Sequence, residues 1–430
     1  MARSQVKQAG VSGAQLAADV VEGGAGWVQR ARKAAAARLR DSGLPTRRDE
    51  YWKFTRPDTL TAAEPEAAAL FDAGDEKPLF DAIDRLKIVF VDGVFDAGAS
   101  DDLTLAGVEI EPLQTVAQND IHWARKLFGV LESRGQTPVA RPLAALNTAV
   151  ATNGMAIRVS ARAARPINLI YLHKSVTSDA FLHHVILVEP GADLTLLENG
   201  PAAARLNKVI EVEIADGASF HHVSAQGRDH ERRAVTHMFV RLGQESHFRS
   251  FTLTANGVLT RNEVVLELTG DDSTAHVAGA AMGDGDFHHD DTVFVAHDAL
   301  NCQSRQVFKK VLRNGATGVF QGKILVRPGA QKTDGYQISQ ALLLDGDSQF
   351  LAKPELEIYA DDVVCSHGST SGAMDDGALF YLRSRGLPLQ EAQDLLVLAF
   401  LADAIAEIED SAIAEDLTSR LEGWLIRRRR

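Results

Sequence analysis

The sequence predicts a mainly β protein whose centre is a solenoid of stacked β-coils, with helical segments before and after it. Two observations support this prediction. From 157 to 356, short β-branched stretches alternate with Gly, Asp and Ser turns, and helix signals are nearly absent. Turn glycines also recur about every 26 residues, as expected of repeated coils, at Gly191, Gly217, Gly243 and Gly270. A β-sandwich remains the alternative.

The part of the chain before the solenoid is predicted to begin with a helix. Residues 26–40, GWVQRARKAAAARLR, are rich in Ala, Arg and Leu, and a stop signal follows at 41–43. The apolar run LKIVFVDGVF comes next, and its Asp92-Gly93 pair predicts a tight hairpin. A further helix is predicted from Asp120 to Ser133.

After Ser371 the pattern returns to helix. The segment LPLQEAQDLLVLAFLADAIAEIED has Pro388 near its first turn and apolar residues at helical spacing, and a second helix is predicted from Ser411 to Ile426. Helices that follow a solenoid can cap its end or dock a partner. The predicted units are a helical domain (1–85), a mixed α/β connecting region (86–156), the coil region (157–372) and a helical domain (373–430).

Composition limits the classes of function. The net charge of −13 is unfavourable for binding nucleic acid or an anionic membrane. Two cysteines in 430 residues cannot build a disulfide framework, which indicates a reducing compartment. The first twenty residues lack the apolar core of a secretory signal, and the longest apolar run, 395–402, is too short to span a bilayer. We therefore expect a cytoplasmic protein.

Cys365 and His367 are the most notable candidate ligands, in the stretch ADDVVCSHGSTSG. On a strand, side chains at i and i+2 share a face with Cα atoms about 7 Å apart, so one metal ion could bridge them. Structural zinc and iron–sulfur clusters normally take three or four ligands. Cys302 is not a whole number of repeats from Cys365, so the pair indicates half a site, completed at an interface.

Two other interpretations of the reactive residues stay open. His289, Asp291 and His297 share one face of a predicted strand and could form a mononuclear metal site in a β-barrel enzyme. Alternatively, the solenoid is purely structural, with Cys365 packed as a small apolar residue and His367 simply hydrogen-bonded.

The second half of the chain also carries long motifs, and with them the chain resembles the SufB/SufD family of iron–sulfur cluster assembly proteins. Two upstream segments, LPTRRDEYWKFT (44–55) and LNTAVATNG (146–154), extend the resemblance over most of the chain. Cys-Ser-His-Gly, in place of the Glu-His-Glu-Ala type of segment in SufB-like members, resembles the SufD branch, although Ser369 replaces the commoner Ala. The motifs are Ser304-Arg305, Phe320-x-Gly322-Lys323-Ile324, Gly329-Ala330-Gln331-Lys332-Thr333-Asp334, Leu342–Leu344, Lys353-Pro354-Glu355-Leu356, Asp361-Asp362, Cys365-Ser366-His367-Gly368, Phe380-Tyr381-Leu382 and Ser384-Arg385-Gly386.

The resemblance implies a right-handed parallel β-helix flanked by N-terminal and C-terminal helical domains. It also implies a non-catalytic scaffold subunit that pairs with SufB through the β-helix and holds the ATPase SufC through the C-terminal helices. His367, with Cys365 beside it, would bind iron or a nascent cluster transiently at the SufB–SufD interface. The isolated chain, as a monomer or a homodimer, is expected to hold no cofactor tightly. The SufC-docking residues expected on this basis are Phe380, Tyr381, Leu382, Arg385, Gly386, Leu395, Leu396 and Phe400.

Overall fold

The computed structural model describes residues 23–70, 77–226 and 231–427. The first twenty residues, on which the expected cytoplasmic location partly rests, lie outside these ranges, as does part of the predicted 1–85 domain. Within the described ranges, no helix has the length and apolar character needed to cross a membrane.

The described chain opens with helix α1 (Gly26–Ser42), a 3-10 helix (Glu50–Trp52) and the short helix α2 (Asp58–Thr61). Helix α1 ends at the predicted stop. Gly43 takes a φ of 72° there, and its N–H donates to the Leu39 carbonyl over 2.8 Å. The predicted N-terminal helix is therefore confirmed.

A hairpin and short helices connect this region to the solenoid. Strands β1 (Leu86–Val91) and β2 (Val94–Asp96) pair antiparallel around Asp92 and Gly93, whose φ values are 49° and 81°. This is the predicted tight turn. The elements that follow are β3 (Val108–Pro112), α3 (Leu113–Val116), a 3-10 helix (Trp123–Lys126), α4 (Val130–Arg134) and α5 (Pro142–Val150).

The predicted continuous helix from Asp120 to Ser133 is wrong. The second 3-10 helix and α4 are separated at Gly129, which has a left-handed φ of 72°. The buried carboxylate of Glu211 accepts hydrogen bonds from the Gly129 N–H and, over 2.9 Å, from the Glu132 N–H. A side chain about 80 residues away in sequence therefore stabilises the break, and no local pattern reports it.

Sixteen strands, β4 to β19, form a β-solenoid. The odd-numbered strands from β5 stack in one sheet (sheet 1) and the even-numbered strands from β4 in the other (sheet 2). Neighbouring strands in both stacks are parallel, which confirms the solenoid and excludes the antiparallel β-sandwich. Their bounds are β4 Met155–Val159, β5 Ile167–Leu172, β6 Asp179–Val188, β7 Asp193–Asn199, β8 Arg205–Ile214, β9 Ser219–Gln226, β10 Arg233–Leu242, β11 His247–Ala255, β12 Leu259–Leu268, β13 Thr274–Asp284, β14 His288–His297, β15 Gln303–Arg313, β16 Thr317–Val326, β17 Asp334–Leu343, β18 Gln349–Ile358 and β19 Val364–Gly372.

The turns between coils stack in the same way as the strands. In six successive turns that lead from sheet 2 to sheet 1, one residue is left-handed, and its N–H donates to a carbonyl of the following turn over 2.5–3.0 Å. The spacing grows from 26 residues (Gly191 to Gly217) to 31 (Asn301 to Lys332), so the sequence rhythm weakens toward the later coils. These residues are Gly191, Gly217, Glu245, Asp272, Asn301 and Lys332.

The main hydrophobic core lies between the two sheets. It is built from inward-facing Leu, Ile, Val, Ala and Phe side chains, from Leu86 at the start to Phe320 in β16. Because strand side chains alternate between faces, every second residue of each strand points into this core.

Three C-terminal helices follow the last coil: α6 (Asp376–Ser384), α7 (Leu389–Ile405) and α8 (Ser411–Arg427). Helix α7 packs on the outer face of β13 and β15. Leu401 of α7 and Trp424 of α8 are buried in one hydrophobic cluster there, and Lys309 of β15 makes a 2.8 Å ion pair with Asp403. The predicted C-terminal helices are confirmed, and α6 adds a helix that the sequence patterns did not single out.

The outer face of sheet 2 holds the N-terminal segment through buried charges. Arg261 lies under the Trp52 ring, 4.1 Å from its centroid, and pairs with Glu263 (2.7 Å) and Asp290. Arg141 is 3.0 Å from the other oxygen of Glu263. Burial would raise the pKa of Glu263, but Arg261 and its neighbours lower it to about 2.

Candidate functional site

Cys365 and His367 lie on β19, the last strand of sheet 1 in the described chain. The strand assumed for this pair is therefore present. In the parallel register with β17, Cys365 is the neighbour of Gly335 and His367 is the neighbour of Gln337.

Both side chains face the interior of the solenoid. Cys365 continues the row of Gly335, Ser304 and Ala275, and Ala275 belongs to the main core. His367 continues a row that ends at Val277, which also belongs to this core. Since in-register neighbours point the same way, the two candidate ligands share one inward face at the end of the solenoid.

The two candidate ligands differ in exposure. Cys365 is half-buried and packs with Ile324, Val326 and Ala330, whereas His367 is exposed because no further coil of the described chain covers it. Burial raises the pKa of the Cys365 thiol, so the thiol is protonated at neutral pH. Iron binding at the sulfur would have to release that proton.

Cys302 does not join this site. It is fully buried just before β15, and its Sγ lies 3.3 Å from the Ser273 hydroxyl. The Cys365 row meets β15 at Ser304, two residues beyond Cys302. Burial also raises the pKa of the Cys302 thiol, and the residue fits a packing role.

One cluster of three metal-ligand side chains occurs in the described ranges, and the sequence patterns did not indicate it: Glu109, Glu111 and His122. Nδ1 of His122 accepts the Ala124 N–H over 3.1 Å, so a neutral ring carries its proton on Nε2 and donates it to Glu111 over 3.0 Å. Trp123 donates to Glu109 over 2.9 Å. These groups already satisfy one another, and the cluster includes neither Cys365 nor His367.

The alternative metal enzyme using His289, Asp291 and His297 is wrong. The fold is a two-sheet solenoid and not a barrel, and Lys310 Nζ lies 3.0 Å from His289 Nδ1 and 2.6 Å from Asp291. His297 is six residues further along β14, about 20 Å away, and contacts Ser304 over 2.8 Å. An ammonium group therefore stands where that interpretation requires a cation.

The residues expected to dock a partner lie on α6, its end and α7. Phe380 and Tyr381 are 76% and 57% exposed, and Leu395 is 47% exposed. Arg385 and Gly386 are exposed as well, whereas Leu382, Leu396 and Phe400 are partly covered. Lys309 lies 4.7 Å above the Phe400 ring, so Phe400 also helps to seat α7 on the solenoid.

Two glutamines beneath the His367 row were not singled out in the sequence. Gln306 and Gln337 are fully buried and are the in-register neighbours that precede His367 on β15 and β17. Their separations, 31 residues and then 30, match the late coil spacing. Once the repeat length is known, that spacing is the signal that would have found them.

The chain is similar to known iron–sulfur cluster assembly proteins. A family model described as SUF system FeS cluster assembly, SufBD core domain, matches residues 171–400. The chain is 28% identical over 392 residues to iron–sulfur cluster assembly protein SufD of Escherichia coli, covering 88% of this chain and 89% of that protein. It is 26% identical over 414 residues to SufD of Bacillus subtilis, covering 92% and 93%. A SufBD family protein of Synechocystis is 27% identical over 401 residues, covering 88% and 86%.

The fold and the site define a β-solenoid protein in which a cysteine and a histidine share the inward face of the last described strand. The chain belongs to the SufBD core family of SUF-system iron–sulfur cluster assembly proteins, since the matched region spans more than half of it. Within that family it is SufD-like.

Proposed function

We propose that this chain is a non-catalytic SufD-type subunit of a SufBCD complex that assembles iron–sulfur clusters. It pairs with SufB through its last coil, supplies His367 and Cys365 toward iron or the nascent cluster, and holds SufC through its C-terminal helices. One observation carries the proposal: two potential ligands share an inward face at an end that no other described strand covers. Alone, the chain holds no cofactor tightly.

The exposed edge of the last coil supports pairing with another solenoid. β18 and β19 are ten and nine residues long, and neither has a described strand on its outer side. Val364 is 70% exposed and Tyr359 is 58% exposed at this end. Long bare edges of this kind are normally covered, and a strand from a second chain satisfies their main-chain groups.

The donor set suits iron in transit. Imidazole and thiolate are both ligands for iron and for iron–sulfur clusters, and two of them leave the coordination sphere incomplete. In this proposal SufB provides the remaining ligands when the two ends meet. The protonated Cys365 thiol and the exposed His367 imidazole would then bind weakly without a partner, as a transfer step requires.

The surface of the C-terminal helices supports docking of SufC. A groove of about 290 Å³ lies between α7 and α8, with an apolar floor that includes Leu395 and Leu398 and acidic residues such as Glu391 and Glu422 beside it. Phe380 and Tyr381 stand exposed on α6. An apolar centre with a polar rim is typical of a protein interface.

The same helices offer a mechanical route to the last coil. Helix α7 and the turn after it are tied to β15 through Asp403 with Lys309 (2.8 Å) and Glu407 with Arg305 (3.1 Å). β15, β17 and β19 are consecutive strands of sheet 1. ATP binding by SufC would therefore move α7, shift the edge of sheet 1, and open or close the SufB contact around His367, as in other two-state interfaces. The ATPase activity belongs to SufC.

The test is His367→Ala in a reconstituted SufBCD complex, with His247→Ala as the matched control. His247 is an exposed histidine on β11 of the same sheet, away from the open end. We expect His367→Ala to lower the iron and sulfide bound per complex, and His247→Ala to leave both unchanged. A His367→Ala complex with wild-type iron and sulfide content would contradict the proposed role.

A further inference from the structure

Gln306 and Gln337 are unusual among the interior side chains. Both are fully buried, and neither the oxygen nor the nitrogen of either amide has a hydrogen-bond partner among the described residues. A buried amide group left unpaired destabilises a fold by about 1–3 kcal/mol. Two such side chains in consecutive coils therefore call for a purpose other than packing.

The register places these amides directly behind His367. Along sheet 1, Val277, Gln306, Gln337 and His367 are successive neighbours on β13, β15, β17 and β19. Neighbouring strands are about 4.8 Å apart, so the Gln337 amide is within reach of the His367 ring. The row leads from the closed core to the exposed ligand.

The opposite sheet leaves room for the Gln337 side chain. Gly322 on β16 faces it, and a Cβ on Gly322 would lie 2.4 Å from Gln337 Oε1. Glycine therefore lets the amide extend across the interior. A glycine also lies beneath the thiol, since a Cβ on Gly335 would be 3.2 Å from Cys365 Sγ. The layer under the two ligands thus has a glycine in close contact with the thiol and a hydrogen-bonding group below the histidine.

We propose that Gln337 is a positioning residue for His367. When one ring nitrogen of His367 binds iron, the other carries a proton, and that N–H donates to Oε1 of Gln337. Metal-bound histidines usually donate their second nitrogen in this way, which fixes the tautomer and the ring orientation. In that iron-bound state Gln306, the next residue of the row, would accept the amide N–H of Gln337. This inference rests on the proposed function, because it assumes that His367 binds iron.

The test compares Gln337→Met with Gln340→Met in the full-length chain bound to SufB. Methionine keeps the length of the side chain and removes both polar atoms. Gln340 is the control because it lies on the same strand but points to the outer face, where it contacts Thr370. Co²⁺ serves as the probe for the iron site, with its dissociation constant and visible absorption bands as readouts. The urea midpoint of each chain reports folding.

We expect Gln337→Met to weaken Co²⁺ binding about tenfold or more, in the range found for residues that support metal ligands. Its absorption bands should change while the urea midpoint stays the same or rises. Gln340→Met should match the wild type in every readout. A lower urea midpoint with unchanged Co²⁺ affinity and bands would show that Gln337 is merely structural, and would overturn the inference.

A third variant, His367→Ala, separates this inference from the proposed function. If His367→Ala abolishes Co²⁺ binding but Gln337→Met does not weaken it, the positioning role is wrong and the proposed function stands. If His367→Ala binds Co²⁺ as the wild type does, the proposed function is wrong and the inference falls with it.

Discussion

The two ends of the solenoid are built differently. At the first end, sheet 1 closes with the three-residue strand β2 and sheet 2 closes with the five-residue antiparallel strand β3, beside the helices of the connecting region. At the last end, the long parallel strands β18 and β19 are the final described members of their sheets. Short edge strands and covering helices protect a sheet from pairing, and long bare ones invite it.

The difference supports the last end as the one that would pair in the proposed complex. Inward-facing residues of the first coils, such as Ile157 and Leu169, are fully buried, whereas every residue of β19 is at least partly exposed. The thiol and imidazole candidates, Cys365 and His367, lie at the open end, whereas Glu109, Glu111 and His122 at the first end satisfy one another. Exposure and ligand content therefore coincide, as expected of a site that a second chain completes.

The stability of the fold should depend on the buried charges between the outer face of sheet 2 and the N-terminal segment. Arg261→Met leaves Glu263 and Asp290 without their main partner in a buried site, which should lower the free energy of unfolding by about 3–5 kcal/mol. Arg241→Met breaks only a partly exposed ion pair with Glu213. It should change the free energy of unfolding by less than about 1 kcal/mol. Urea unfolding of both variants measures the difference. Equal effects would contradict this role for the buried charges.

Charge on the open edge should prevent pairing. Val364→Lys places an ammonium group on β19 and should weaken SufB binding about tenfold to a hundredfold, and weaken any homodimer too. Val94→Lys is the matched control, since Val94 is 55% exposed on β2 at the other end of the same sheet. Calorimetric titration with SufB measures both. Equal losses from the two substitutions would remove the distinction between the ends.

Histidines in closed coils should make the fold sensitive to acid. Burial lowers the pKa of His237 and His297 to about 4. The unfolded chain takes up protons there below about pH 6.5 and the folded chain does not, so stability falls as pH drops through that window. His297→Asn should reduce the slope of the free energy of unfolding against pH by on the order of 1.4 kcal/mol per pH unit.

Urea unfolding between pH 6.5 and 4 measures this slope, and Gln340→Asn, a substitution at a partly exposed residue with no titrating group, is the control. The slope of Gln340→Asn should match the wild type, because no titrating group is removed. If His297→Asn kept the full slope, the role of this buried histidine in acid sensitivity would be contradicted.

The smallest expected effect concerns the C-terminal groove. Leu395→Asp puts a charge on the apolar floor of the groove and should weaken SufC binding about fivefold to tenfold. This corresponds to losing an interface residue that contributes about 1 kcal/mol or more to the binding free energy. Ala406→Asp, exposed beyond the end of α7, should leave the affinity unchanged. Co-purification and titration with SufC measure both. Unchanged binding by Leu395→Asp would move the docking site elsewhere.

The fold could largely be predicted from the sequence because its signals are local. Turn glycines such as Gly191 and Gly217, the Asp92-Gly93 hairpin and the helix stop at Gly43 each act within a few residues. The break at Gly129 was missed because distant Glu211 stabilises it. The later turns were harder to recognise, since Asn301 and Lys332 take the left-handed conformation without glycine.

The candidate site could be predicted only in part. The spacing of Cys365 and His367 indicated a shared face, because strand alternation is a two-residue rule. Gln337 could not be identified from the sequence alone, because its place beside His367 depends on the register between β17 and β19. The spacing of 30 residues reveals that register only after the coil length is known. The interpretation of His289 and Asp291 as metal ligands failed because Lys310 contacts both side chains from the opposite sheet, and the sequence does not show that contact.

The most direct measurement is the amount of iron retained after gel filtration by the isolated chain, by SufB alone and by the two together. If the open end supplies only part of a coordination sphere, the pair should retain more iron than the two separate chains combined, and His367→Ala should abolish the excess. Tight, stoichiometric iron in the isolated chain, unchanged when SufB is added, would contradict this account.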